Sequence, residues 1–454
     1  MLSFLQTLLA FVAALGILVT FHEYGHYSVA RVLGVKILRF SIGFGAPLWT
    51  RRHGPDQTEF TIAAIPLGGY VKMLDEREGP VAPAEQHRAF NRQSLAVRAA
   101  IVVAGPMANF LLAIVVYWLA YMAGVTGPRA ILGTVNPTGM SYAAGLRSGD
   151  EIIAVNGRAT AIWDNVLNTA VDAILDERVL ELEVRATDRT TRTAKLDFSK
   201  LSIDDLSRGD FFEKIGFAPM RVKVPPRIGK VMPNEVAEQA GLRAGDLIVA
   251  VEATPLDDWM TWVEKVRANP GHPLEITVLR NGQRMPLTVV PKSASDGGHL
   301  IGRIGAEVEA PPPTTTTPTA VERYAPWPAA VHAVERTSEV TLTTLKFLRQ
   351  MVAGLASVDN LSGPLSIAQF AGESAKLGLS RFLEFLGLVS VSLAVLNLLP
   401  IPLLDGGHLI FYLVEFVTRR PVPEVIQSYG QHVGLVLLLG LMGLALYNDL
   451  MRIF

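Results

Sequence analysis

Residues 21–34 read FHEYGHYSVARVLG, and within them His22, Glu23 and His26 form an H-E-x-x-H pattern. On a helix, residues four apart lie one turn apart on the same face, so two imidazoles at this spacing can turn their nitrogens toward one ion. A glutamate beside the first histidine reaches a water held by that ion and can take its proton. These are the donors and the base of zinc-dependent hydrolysis, with one zinc ion per chain. A catalytic zinc needs a third protein ligand and an open position for water, so another part of the chain has to contribute. The chain has no cysteine, which removes thiolate ligands, disulfides and a cysteine nucleophile.

The elements that carry this motif look unlike those of a soluble enzyme. Residues 1–21 contain no charge, and across all 454 residues half are apolar, 18% are charged and the mean hydropathy is +0.31. That is the composition of a membrane protein. Four uncharged stretches, 1–22, 99–128, 385–404 and 425–448, are long enough to cross a bilayer, which takes about 20 residues of helix. A cleavable signal peptide is disfavoured for the first, because no Lys or Arg precedes its apolar run and the histidine motif follows at once. Glutamate and histidine in a span are costly unless paired or lining a polar cavity, so they default to function. A net charge of −1 gives no footprint for nucleic acid.

Arg31 lies nine residues beyond His22, so the motif sits near one face of the membrane. The third apolar stretch runs in the same direction and ends SLAVLNLLPIPLLDGGHLI, which brings Asp405 toward the same face. Pro400 and Pro402 break that helix, a feature tolerated at membrane depth where freed backbone meets protein or a cavity. Asp405 is therefore the expected third ligand and Asn397 a polar group of the same cavity, with His408 as a rival ligand. Ten Lys or Arg residues lie from Arg31 to Arg98, and Arg419 and Arg420 lie between the last two spans. Both counts put those loops in the cytoplasm, with residues 128–380 and both termini outside; Arg452 alone points the other way.

The outer segment contains a repeat. ILGTVNPTGMSYAAGLRSGDEIIAVNG from Ile131 returns as RIGKVMPNEVAEQAGLRAGDLIVAVEA from Arg227, at a gapless offset of 96 residues. Each copy reads as strand, short helix, Gly-Asp turn and strand. The A-G-L-x-x-G-D-x-I pattern resembles the PDZ domains of bacterial envelope proteases, which take extended peptides as an added strand. APPPTTTTPTA from Ala310 reads as a stiff linker, and residues 328–356 as an amphipathic helix.

H-E-x-x-H in the first span and N-x-x-P-x-P-x-L-D-G in the third, taken together, resemble the site-2 protease family of intramembrane zinc metalloproteases. The resemblance covers essentially the whole chain. It implies His22, His26 and Asp405 as zinc ligands, Glu23 as catalytic acid/base and Asn397 as the polar residue of the third span. GPMANF in the second span matches a family G-P-x-x-N pattern and points to Asn109. EFTIAAIPLGGYVKM from Glu59 reads on its own as a strand and turn; the resemblance implies β structure that re-enters the membrane and holds substrate.

The expected fold class is a four-span α-helical membrane protein with two α/β PDZ domains inserted between spans two and three. The boundaries are a first span at 1–30, a cytoplasmic loop at 31–97 with its β segment near 59–73, and a second span at 98–126. PDZ domains follow at 127–220 and 221–309, then a linker and amphipathic segment at 310–380. A third span at 381–410, a cytoplasmic loop at 411–424 and a fourth span at 425–450 complete the chain. The expected activity is proteolysis inside the transmembrane segment of a single-pass protein in the bacterial inner membrane. An anti-sigma factor already cut on its outer side is the substrate type that the resemblance implies, with remnant signal peptides as a second. The PDZ pair would exclude bulky substrates or bind peptide segments. A non-catalytic scaffold built around that pair, and a transporter with intramembrane acids, are the competing readings; the second lacks the internal repetition of spans that marks transporters.

Overall fold

Long apolar runs fold as helices because a bilayer leaves backbone groups no partners outside the chain. α1 (Leu2–Val32) and α2 (Leu95–Ala123) are the first two such helices. After the repeats come α3 (Pro326–Val352), α4 (Pro364–Leu377), α5 (Leu379–Asn397), α6 (Asp405–Thr418) and α7 (Glu424–Ile453). The computed structural model describes residues 2–176, 178–199, 201–202, 204–205, 211–296, 299–309, 317–357 and 361–453. Among these, four helices are long and apolar enough to cross a membrane: α1, α2, α5 and α7. Their outer faces expose Phe4, Leu111, Leu388 and Val436, side chains that water would not leave uncovered on this scale.

α1 and α2 cross closely through small residues. A Cβ on Gly25 would stand 2.2 Å from the Ala104 carbonyl oxygen, so no larger side chain fits there. α2 begins at Ser94, whose hydroxyl accepts from the Val97 amide, and it continues through Pro106. Proline has no N–H to give the carbonyl four residues back and crowds the preceding turn, which leaves carbonyls there free for other partners.

Between these helices β1 (Ile37–His53) and β2 (Thr58–Met73) form an antiparallel sheet. Each bends back on itself, so Ser41 pairs with both Thr61 and Tyr70, and Thr61 with both Ser41 and Thr50. The result is four short segments in the spatial order 47–53, 58–63, 37–42, 69–73. The first bend needs Gly43, with φ 91°, where a Cβ would also meet the Ile65 carbonyl oxygen at 2.8 Å. The sequence predicted one strand and a turn from Glu59; the second long strand, Ile37–His53, is added by the structure, although residues 38–44 alternate apolar with polar or small. Tyr27 of α1 packs edge-on to Phe40 and Phe60, each at 5.6 Å between centroids, and seats the sheet beside the histidine turn.

The two sequence copies have the same strand order. In the first, Arg158–Ala159, Glu151–Val155, Val179–Arg185 and Thr191–Asp197 make a four-stranded sheet, and Leu132–Val135 pairs with Phe217–Pro219. In the second, Thr254–Pro255, Leu247–Val251, Leu274–Arg280 and Gln283–Val289 correspond, and Ile228–Val231 pairs with Ala306–Val308. Each sheet packs on its own helix, Trp163–Leu175 or Trp259–Ala268, around a separate apolar core. The linker predicted from Ala310 lies largely outside the described residues. The predicted helix at 328–356 corresponds to α3.

The third apolar segment differs from a single span over 381–410. α5 ends at Asn397, residues 398–404 are non-helical, and α6 starts at Asp405 and runs to Thr418, into the stretch expected as a loop at 411–424. Pro400 and Pro402 cannot continue the hydrogen-bond ladder, and Leu403 takes φ 101°, outside the usual range of a branched residue. Gly406 and Gly407 let α6 fold back against this turn, since a Cβ on either would lie 2.2 and 2.4 Å from the carbonyl oxygens of Leu399 and Ile401.

Candidate metal centre

The α1–α2 crossing and the start of α6 bring three predicted site residues together. Nε2 of His22 and Nε2 of His26 are 3.3 Å apart, and Oδ2 of Asp405 lies 3.2 and 3.5 Å from them. The three side chains are largely buried, at 12%, 12% and 16% exposure. Ligand atoms about 2.0–2.1 Å from a tetrahedral zinc stand about 3.4 Å apart, so these separations fit that ion. The carboxylate atom Asp405 Oδ2 is buried without a hydrogen-bond partner, which suits a cation among the three atoms.

The remaining nitrogens fix the histidines for that role. Nδ1 of His26 donates to the Ile101 carbonyl at 2.8 Å, which leaves Nε2 as the lone pair. Ile101 lies one turn before Pro106 in α2. His22 Nδ1 lies 3.2 Å from the amide of Asn109, a fully buried side chain whose Oδ1 has no partner. With that amide turned over, Oδ1 accepts a hydrogen bond from His22 Nδ1–H, which again leaves Nε2 free for a metal. The Asn109 backbone carbonyl is itself held by the Ser390 hydroxyl of α5 at 2.8 Å.

A cavity of about 510 Å³ opens onto the cluster, and Glu23, Asn397 and His408 line it together with Gly69, Tyr70 and Leu403. Thus Glu23 and Asn397 share the cavity with the cluster, and Asn109 lies behind it. His408 also lines the cavity but is not among the three converging ligand atoms, which are those of His22, His26 and Asp405. The segment 69–73 is the edge of the four-segment sheet, and a Cβ on Gly69 would stand 2.9 Å from Glu23 Cγ. An extended peptide pairing with this edge would pass beside the carboxylate.

Sequence reasoning missed Gly105, Gly69 and the Ile101 carbonyl. Gly105 belongs to the quoted GPMANF, and Gly69 to the Gly pair after Glu59, so both were visible as glycines without a stated role. The Ile101 carbonyl has no side-chain signature.

Peptidase family M50 matches residues 10–441 of the chain. The "Regulator of sigma-E protease RseP" of Escherichia coli (strain K12) is 43% identical over 453 residues, all of both chains. The "Protease RseP" of Yersinia pestis is 41% identical over 454 residues, again all of both. A Neisseria meningitidis protein named as a zinc metalloprotease is 42% identical over 99% of this chain and 100% of its own. With three of its four span-length helices lining the cavity, the chain belongs to Peptidase family M50 and is an intramembrane zinc metalloprotease.

Proposed function

We propose that His22, His26 and Asp405 hold the zinc ion and that Glu23 is the catalytic acid/base. Bound zinc supplies a Lewis acid and a water whose pKa is lowered to about 7. Glu23 takes a proton from the attacking water and returns it to the leaving amine. Asn109 orients His22, the Ile101 carbonyl orients His26, and Asn397 offers an amide to an extended peptide in the cavity. The edge segment 69–73 receives that peptide as an added strand, because a transmembrane helix hides its carbonyls until it unwinds. The observation that carries this reading is the convergence of two imidazole nitrogens from a span-length helix and one carboxylate oxygen from the start of α6, at 3.2–3.5 Å.

The two outer repeats act in this reading as PDZ domains, over 127–220 and 221–309. Their shared strand order and separate cores support it. They exclude substrates that still carry a bulky outer domain, or take peptide segments by strand addition. The protein lies in the bacterial inner membrane with its metal centre near the cytoplasmic face and the repeats in the periplasm, as the ten basic residues between Arg31 and Arg98 support. Its substrate is a single-pass membrane protein already shortened outside, of the anti-sigma factor type that fits a relative named as a regulator of sigma-E, with remnant signal peptides as a second class.

The test is cleavage of a single-pass substrate in detergent by the wild type and by Glu23→Gln, with and without a chelator, alongside zinc analysis. The wild type cleaves and loses activity to the chelator, Glu23→Gln keeps zinc and does not cleave, and His22→Ala loses zinc. Unchanged cleavage by Glu23→Gln would overturn the assignment.

A further inference from the structure

The cavity at the metal centre does not end there. A second cavity, of about 410 Å³, shares Asp75, Arg77, His408 and Tyr412 with the first and extends to Arg98, Gln427 and Gln431. We infer that this second cavity is a substrate subsite that takes the polar cytoplasmic flank of the unwound segment. The inference rests on the proposed use of 69–73 as the edge that substrate pairs with, and it deepens that reading.

Three observations carry it. The first is continuity: the chain leaves the edge segment at Met73 and runs through residues 74–79, of which Asp75, Arg77 and Glu78 line both cavities. A peptide paired along 69–73 and continuing past Met73 is delivered into the second cavity. The second is the state of Arg98. Its Nη2 binds Glu415 at 2.6 Å and its guanidinium lies over the Tyr412 ring at 5.0 Å, but its buried Nε has no partner. A buried N–H of this kind calls for a carbonyl or amide oxygen. The third is charge. Arg77 pairs with Asp75 at 2.5 Å, Arg98 with Glu415 at 2.6 Å and Glu78 with Lys72 at 3.2 Å, so each carboxylate and guanidinium of the lining already has a charged partner and the space asks for hydrogen bonds rather than an ion.

The occupant that matches is a stretch of extended backbone with neutral acceptor side chains such as Asn, Gln, Ser or Thr. Gln427 and Gln431, one turn apart at the start of α7, add donors and acceptors to the lining. Such a flank lies where a transmembrane segment meets the cytoplasm, and it would give the enzyme a recognition element beyond the apolar span.

The chain lacks cysteine, so Gln431→Cys introduces a unique thiol. In a Glu23→Gln background, which holds substrate uncut, this variant and Met73→Cys are cross-linked to a single-pass substrate carrying one cysteine stepped through its apolar half and its cytoplasmic flank. Met73→Cys captures positions in the apolar half near the scissile bond, and Gln431→Cys captures only flank positions further toward the cytoplasm. In the catalytically intact chain, Gln431→Trp fills the cavity and lowers kcat/KM for a substrate with a polar flank about tenfold, the worth of one hydrogen bond to a charged group, at unchanged zinc content. Capture by Met73→Cys without any flank capture by Gln431→Cys, or an unchanged kcat/KM in Gln431→Trp, overturns the subsite and leaves the edge-strand reading standing. Absence of capture by both cysteines overturns both.

Discussion

Gly105 of α2 lies against His26 of α1 so closely that a Cβ added to it would stand 2.3 Å from Nε2 and 2.9 Å from Cε1 of His22. The helix crossing and the proposed zinc site therefore share one atom-sized gap. Gly105→Ala has to push both imidazoles out of line, and such displacement of ligands lowers metal affinity about 10- to 100-fold. Zinc titration of the purified variant measures this, and retention of wild-type affinity would show that the helices can part at no cost to the ligands.

Gly69 makes a corresponding close approach from the edge segment of the sheet. A Cβ there would meet the Ser41 carbonyl oxygen at 2.7 Å and Glu23 Cγ at 2.9 Å. Gly69→Ala shifts the edge segment or Glu23, the proposed base, by a fraction of an ångström to about an ångström, and misplacement of that size costs about a hundredfold in rate. Zinc content stays at the wild-type level, which separates this variant from Gly105→Ala. Rate assays and metal analysis on one preparation give both numbers.

In the second repeat Asp246 is buried, at 1% exposure of its side chain, and accepts from the Arg243 amide at 2.8 Å and from Arg280 at 2.7 Å. Burial pushes its carboxyl up, but the hydrogen bonds from Arg280 and the Arg243 backbone outweigh it and hold the group below the ordinary aspartate value. A depressed folded value means the carboxylate contributes stability above the unfolded pKa of about 3.9, and that this contribution is lost as pH falls through the lower folded value. Amide exchange in the second repeat of the full chain should thus accelerate below about pH 4. Asp246→Ala leaves Arg280 without its partner, costs about 3 kcal/mol at neutral pH and removes most of that acid dependence.

The two repeats turn between strands through residues of positive φ at equivalent places. The first uses Asn156 and Gly157, at φ 48° and 77°, which suit a tight hairpin. The second uses Glu252 and Ala253, at φ 49° and 65°. A left-handed alanine costs about 1 kcal/mol, so Ala253→Gly should stabilise the second repeat by about that amount. Hydrogen exchange on Leu247–Val251 reads the gain, and slower folding or no change would mean that the turn is held by its neighbours.

Much of the architecture was legible because its signals are local. Spans are announced by length and lack of charge, the repeat by identity at fixed offset, and the His22–Glu23–His26 constellation by helical periodicity within five residues. Asp405 was legible for a different reason: prolines beside a carboxylate at membrane depth make a poor helix and a good cavity wall. The sequence put Asp405 ahead of His408 as third ligand, but the two lie three residues apart, and only the structure shows which of them meets the histidines.

The sequence by itself determined that this is a membrane-embedded metal-dependent hydrolase with a duplicated module, since helix period, apolar length and repeat offset are properties of neighbouring residues. Tertiary structure alone decided that Asp405 Oδ2, not His408, meets the two imidazoles at 3.2 and 3.5 Å, because the turn through Leu403 at φ 101° sets which way α6 begins. It also decided that β1 and β2 fold into four segments with 69–73 at the edge, and that Gly105, Gly69 and the Ile101 carbonyl serve the site. Close approach between distant segments is set by what is absent from a side chain or free on a backbone, and neither leaves a pattern along the chain.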